Sequence, residues 1–150
     1  MASKPMLTLV TSVLQSCRVQ GTSFRQSGIT VSTRPLAGET IIFFLIDCDE
    51  GRTSLKMTES GVKICDYIIY YTNDGEDGEI VCLLEVKGKN LKIAANQVLI
   101  THEHVAALSR EKIHINYHQN IKWRVCICLR SHAPSSSQRI HDPLKEKFGL

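Results

Sequence analysis

The 150-residue sequence contains no Cys-x-x-Cys pair, no internal repeat and no apolar run long enough to span a bilayer. Structural zinc sites with four tetrahedral ligands usually draw on close cysteine pairs. Their absence argues against structural zinc. The six cysteines (Cys17, Cys48, Cys65, Cys82, Cys126 and Cys128) mostly sit inside strand-like apolar runs, where a reduced thiol serves as a small core residue. A reducing, cytoplasmic setting is the expectation. The longest apolar stretch, residues 41–46, is followed at once by Asp47, Asp49 and Glu50. It is far short of the roughly 20 residues a membrane helix needs, so it predicts a buried strand and no membrane partner. Residues 6–14 are mildly apolar but are interrupted by Thr8, Thr11 and Ser12, and no cleavage site follows, so no secretory leader is expected. Aromatic residues are also scarce, at 6%, with a single tryptophan. Trp123 and Tyr117 could stack on a base, but a lone strand tryptophan more often belongs to a core.

A strong charge of one sign is missing as well. The net charge of +3 is too small to establish a polyanionic partner. Its distribution says more. Acidic residues concentrate between Asp47 and Glu85, whereas Lys87, Lys89, Lys92, Arg110, Lys112, Lys122, Arg124, Arg130, Arg139, Lys145 and Lys147 make the second half basic. An acidic cluster within a basic surround suits a metal site that faces phosphate.

With 43% hydrophobic and 22% charged residues, the chain has the composition of one globular domain with a core. Residues 1–38 predict an N-terminal helix over 7–17 and then an irregular connection, and residues 39–150 predict the main domain. Within the latter, residues 40–48 predict a strand and residues 51–61 a turn or hairpin segment. Residues 62–71 predict a second strand, ended by the Asx/Gly turn signals of residues 72–78, and residues 79–87 the returning strand of a hairpin. The apolar positions Leu91, Ala94, Ala95, Val98, Leu99, Val105 and Leu108 predict an amphipathic helix over 91–109. Residues 121–129 predict another buried strand, and residues 139–148 a last helix with Pro143 in its first turn or at a kink. The order is that of an α/β sandwich with a mixed β-sheet flanked by helices.

Asp66 falls in the apolar stretch of residues 64–71, where a buried carboxylate needs a cation or hydrogen-bond donors. Glu85 and Lys87 are two apart near the end of the next strand and share one face, with Val86 turned the other way. If the two strands pair, the three charges meet. Mg²⁺ or Mn²⁺ takes oxygen ligands, and Asp66, Glu85 and the Val86 carbonyl, completed by waters, would supply them. Such an ion acidifies a bound water and offsets phosphate charge, with Lys87 orienting the water or stabilising the transition state. Spacing alone equally permits an ordinary Asp/Glu/Lys ion-pair cluster.

The stretches "ICDYIIYY", "LLEVKGKN", "AANQVL" and "WRVCICLRS" together resemble the PD-(D/E)XK nuclease superfamily, and within it small, uncharacterised bacterial members. The resemblance spans roughly residues 40–150. It implies a restriction-endonuclease-like core in which Asp66 and Glu85 hold the metal, Lys87 assists the attacking water and Gln97 joins the catalytic set from the following helix. The tyrosine that accompanies this glutamine in RecB-like members is absent, Thr101 standing in its place. Glu39 and Glu59 are the only candidates for the early-helix glutamate of many members, and neither falls on a predicted helix. Asp47 occupies a place where the bacterial members often carry another acid; a turn carboxylate is the plainer reading.

His102 and His104, two apart on a helix, do not share one face and so do not make a paired metal site. The other histidines lack the spacing of an HNH nuclease. Lys89, Lys92, Arg130 and Arg139 are candidate phosphate contacts, which position a nucleic acid without reading its sequence. The expectation is a metal-dependent endonuclease that cuts DNA, in defence against foreign DNA or in repair, with specificity drawn from a homodimer or a partner protein. The alternatives are a catalytically silent nucleic-acid-binding or structural subunit of the same fold, and an RNA-cleaving nuclease.

Overall fold

The computed structural model describes residues 4–21, 23–26, 28–76, 78–87, 90–113 and 121–129, with the backbone alone at Lys87, Ile113 and Leu129. The elements run α1 (Pro5–Val13), a 3₁₀ turn (Gln15–Cys17), β1 (Ser23–Gln26), β2 (Ile29–Ser32), β3 (Glu39–Leu45), α2 (Asp49–Ser54), β4 (Tyr67–Asn73), β5 (Glu79–Lys87), α3 (Leu91–Ile113) and β6 (Ile121–Leu129). Strands β3, β4, β5 and β6 form one sheet in that order. The first three are antiparallel neighbours, and β6 returns parallel to β5 after the α3 crossover. The sheet is therefore mixed. The expected α/β arrangement of three strands, a helix and a fourth strand is present, while the expected helix over 139–148 lies outside the described residues.

Alternation along β4 and β5 sorts the side chains onto two faces. Ile68, Tyr70, Val81 and Leu83 pack with Met6, Leu9, Val10 and Leu14 of the α1 region and with Val98, Val105 and Leu108 of α3. The opposite face carries Tyr67, Leu84 and Val86, covered by Phe24, Ile29 and Val31 of the β1–β2 hairpin. Phe24 stacks on Tyr67 with ring centroids 3.8 Å apart and meets Phe43 edge-on. Helices thus cover one face and a small hairpin the other.

Three local expectations are corrected. The connection expected after the first helix contains the β1–β2 hairpin, whose four-residue strands are half-buried at every second position. Residues 51–61 do not begin as a turn. They include most of α2, whose first turn carries Asp49 and Glu50 at the end favoured for negative charge and whose Gly51 N–H is accepted by the Cys48 sulfur at 3.4 Å. Gly51 is required there, because a Cβ would fall 2.2 Å from the Ile46 carbonyl oxygen. The helix ends on Lys56 in the left-handed region (φ 57°), with Lys56 N–H donating to Thr53 O and Met57 N–H to Arg52 O. The second strand of the sheet starts at Tyr67 rather than at residue 62, so Asp66 stands just before it.

Helix α1 starts without a capping side chain of its own and with Pro5 in its first turn. Its cap comes from β5. Glu79, 1% exposed, accepts from the N–H groups of Met6 (3.1 Å) and Leu7 (2.9 Å) and from the Tyr70 hydroxyl (2.7 Å). A carboxylate there satisfies orphan donors and meets the positive end of the helix dipole. Lys4 Nζ donates to the carbonyls of Asn73, Glu76 and Gly78 around the β4–β5 turn. Burial, followed by the hydrogen bond to Glu79, pushes the Tyr70 hydroxyl far above its ordinary titration range.

Candidate metal centre

The antiparallel register pairs Tyr67 with Leu84, and one step further it sets Asp66 opposite Glu85. Here side chains replace ladder bonds. The Asp66 carboxylate accepts from the Val86 N–H at 2.7 Å through Oδ2, and the Glu85 carboxylate accepts from the Asp66 N–H at 3.1 Å through Oε2. Each acid thus holds the backbone next to the other. Both are buried, Asp66 at 7% exposure and Glu85 at 0%. Each carboxylate is tied to a main-chain amide of the neighbouring segment, which fixes the relative position of the pair. In an extended strand the N–H and C=O of one residue leave by the same edge, which turns the Val86 carbonyl toward the Asp66 side as well.

The segment that delivers Asp66 is not a strand, and its backbone groups are satisfied one by one. Gln97 Nε2 donates to Ile64 O at 2.9 Å, and the Cys65 N–H donates to Thr101 Oγ1 at 2.9 Å. Thr101 in turn donates to Gln97 O at 2.7 Å. Asp66 O accepts from the N–H of Ile46 at 2.9 Å and of Asp47 at 3.4 Å. Helix α3 and the β3–α2 corner therefore fix the approach to the carboxylate pair from two sides. Glu85 lies on the same face of β5 as Val81 and Leu83, which pack in the core beneath α3.

Several sequence candidates are thereby placed. Asp66, Glu85 and the Val86 backbone come together, and Lys87 follows in β5. Gln97 is buried at 4% exposure, with its amide nitrogen on Ile64 O and no hydrogen-bond partner for its Oε1 among the described residues. Asp47 is drawn to Arg52, with Oδ1 2.7 Å from Nη2 and 3.1 Å from Nε. Lys92 is exposed in the first turn of α3. Lys89, Arg130 and Arg139 lie outside the described residues. Glu39 accepts from the Tyr71 hydroxyl at the far end of β3. Glu59 is exposed in the turn after α2. His104 Nδ1 sits 3.0 Å from Ile100 O, and His102 meets Trp123 edge-on, with Trp123 packed against the core.

Sequence reasoning missed the part played by Thr101. The signal was available, because Gln97 and Thr101 are four residues apart and so share one helix face. Cys65, next to Asp66, is no nucleophile. Burial pushes its thiol far up, and the nearby Glu85 and Asp66 act in the same sense against the Thr101 hydrogen bond. Burial and then the Asp66 charge likewise raise the Tyr67 hydroxyl.

Among the described residues no group of three or more His, Cys, Asp or Glu side chains is placed to hold a metal ion. The donor set is two carboxylates and a strand carbonyl. It consists wholly of oxygen, which fits a hard divalent cation that keeps several waters. No protein-family model, curated protein or solved structure matches the chain. No helix among the described residues is long and apolar enough to cross a membrane.

Proposed function

We propose that the chain is a Mg²⁺- or Mn²⁺-dependent endonuclease of the PD-(D/E)XK type, hydrolysing DNA phosphodiester bonds on a restriction-endonuclease-like core. One observation carries the reading: the reciprocal bonds by which Asp66, just before β4, and Glu85, in the neighbouring β5, each hold the main chain beside the other. The strand order and the single parallel pair β5–β6 support it, because they put both carboxylates at one end of the middle strands.

In this reading Asp66, Glu85 and the Val86 carbonyl would hold the ion. A bound divalent cation supplies charge opposite the phosphate oxygens and an acidified water. The interlocked backbone keeps both carboxylates from reorganising, so their charge is already in position when the phosphate arrives. Gln97 and Thr101 position the Ile64–Cys65 backbone that carries Asp66. Lys87 is assigned the orientation of the attacking water, whose oxygen bonds to phosphorus as the bridging P–O bond breaks and the leaving oxygen takes up a proton. Lys89, Lys92, Arg130 and Arg139 are assigned phosphate contacts, and a homodimer or partner protein supplies specificity. Defence against foreign DNA or repair is the setting. The cytoplasm is the compartment, supported by six free thiols.

A second reading, a catalytically silent subunit of the same fold, is favoured by a specific observation. Both carboxylates already accept main-chain bonds, and the Gln97 amide nitrogen is committed to Ile64. Incubating the protein with plasmid, linear duplex, single-stranded DNA and RNA, with Mg²⁺, Mn²⁺ or EDTA, decides between the two. Cleavage that needs the cation and disappears in Asp66→Ala and Lys87→Ala is the expected result, and cleavage of RNA alone would change the substrate. Absence of cleavage, together with calorimetry showing no cation binding that depends on Asp66 and Glu85, would leave the silent subunit.

A further inference from the structure

The other face of the sheet holds a second chemistry. Register sets Cys82 beside Arg124, Leu84 beside Cys126 and Val86 beside Cys128, so Cys82, Arg124, Cys126 and Cys128 share the face that carries the β1–β2 hairpin. Cys126 and Cys128 stand on β6, the edge strand of the sheet, with their sulfurs 4.0 Å apart. Cys126 is exposed, so it is not a small core residue in the way Cys17 and Cys65 are.

We infer that Cys126 and Cys128 form a dithiol site for a soft, thiophilic monovalent ion, cuprous copper. Thiolate sulfur selects soft ions, and Cu(I) accepts two thiolates as a complete ligand set. Two metal–thiolate bonds of about 2.3 Å set the sulfurs up to about 4.6 Å apart, so the pair, now 4.0 Å apart, reaches a near-linear arrangement by opening slightly. Zinc is disfavoured at the same place, because it requires four ligands and no third His, Cys, Asp or Glu joins the pair among the described residues. Binding releases both thiol protons to solvent and leaves copper in its +1 state, so no oxidant or reductant is consumed. The resulting pair of thiolates with one Cu⁺ carries a net negative charge. Arg124 stands on the same face, and its positive charge already acts on the neighbouring Cys82 thiol. Cys48 is occupied as the cap of α2, and Cys17 and Cys65 are buried.

The test is anaerobic titration of the reduced full-length protein with Cu(I), added as its acetonitrile complex, in competition with bicinchoninate. Uptake of a single ion per chain is expected, lost in Cys126→Ser and in Cys128→Ser and kept in Cys82→Ser and Cys17→Ser. Far-UV circular dichroism identifies any variant that fails to fold. An independent readout uses the unaltered chain: Cu(I) should protect Cys126 and Cys128 together from iodoacetamide, as mapped by mass spectrometry. No uptake by the unaltered chain, uptake that survives in the Cys126→Ser/Cys128→Ser double variant, or protection at other cysteines would overturn the site.

Discussion

Strand β5 carries two buried carboxylates on the same face, Glu79 at its start and Glu85 near its end, and they do different work. Glu79 is surrounded by donors from elsewhere in the fold: two amides of α1 and a tyrosine hydroxyl. Glu85 instead faces another acid and accepts a bond from that acid's own backbone. A carboxylate encircled by donors is a fastener. Asp66 and Glu85 instead tie two neighbouring backbones together, and in the proposed function they would also face a cation.

The sharpest break in this comparison is in activity. In the proposed nuclease, Asp66→Ala and Glu85→Gln should each lower cation-dependent cleavage by about a hundredfold or more, the scale on which one transition-state electrostatic group acts. Glu79→Gln should leave cleavage per folded molecule unchanged, as single-turnover rates on a supercoiled plasmid would show. In stability the order reverses. Glu79→Ala strands two amides and a hydroxyl in the core and should cost about 3–5 kcal/mol in urea unfolding, whereas Glu79→Gln, which keeps an acceptor, should cost less than half of that. An equal loss from both substitutions would show that packing rather than capping is at stake.

Thr101→Val tests the support beneath Asp66. It keeps the shape but leaves the Cys65 N–H without its acceptor, at about 1–3 kcal/mol. Thr101→Ser should restore most of this.

A further comparison is made by pH. Burial pushes the Cys82 thiol from its ordinary 9.0 up to about 12 in the folded chain. The unfolded chain therefore loses this proton first as pH rises. The contribution is complete below pH 9.0 and is lost progressively toward about 12, at up to about 1.4 kcal/mol per pH unit. Cys82→Ser should flatten the fall in thermal midpoint above pH 9, and an unchanged slope would remove Cys82 as its source. The smallest effect is expected at Asp47. Its ion pair with Arg52 is partly exposed on both sides, so Asp47→Asn should change stability by less than about 1 kcal/mol, and by less still in high salt.

Much of the sheet was legible in sequence because β3, β4, β5 and β6 are rich in β-branched and aromatic residues, and α3 shows a helical apolar period. The meeting of Asp66 and Glu85 followed from pairing the two strands. What escaped lay where local pattern is not the cause. Asp66 sits in an apolar run that reads as strand, yet its backbone is held by Gln97, Thr101, Ile46 and Asp47 rather than by a ladder. Helix α2 is only six residues long and contains a glycine needed for close approach to Ile46, so it reads as a turn. The hairpin strands Ser23–Gln26 and Ile29–Ser32 are too short and polar to announce themselves. Nothing near Glu79 in sequence marks it as the cap of a helix 72 residues earlier.

That distance also orders events on the ribosome. Helix α1 has nine residues, fewer than the roughly 12–15 at which an isolated helix becomes even marginally stable, and no cap of its own. It is made before β5 and completed only after it. At about 5–20 residues per second, roughly 4 to 14 s separate synthesis of Leu7 from that of Glu79, and Met6, Leu9 and Val10 have no sheet to cover during that interval. Until Glu79 is made, the α1 segment is therefore an apolar stretch awaiting its place, and a natural point for a ribosome-associated chaperone to engage.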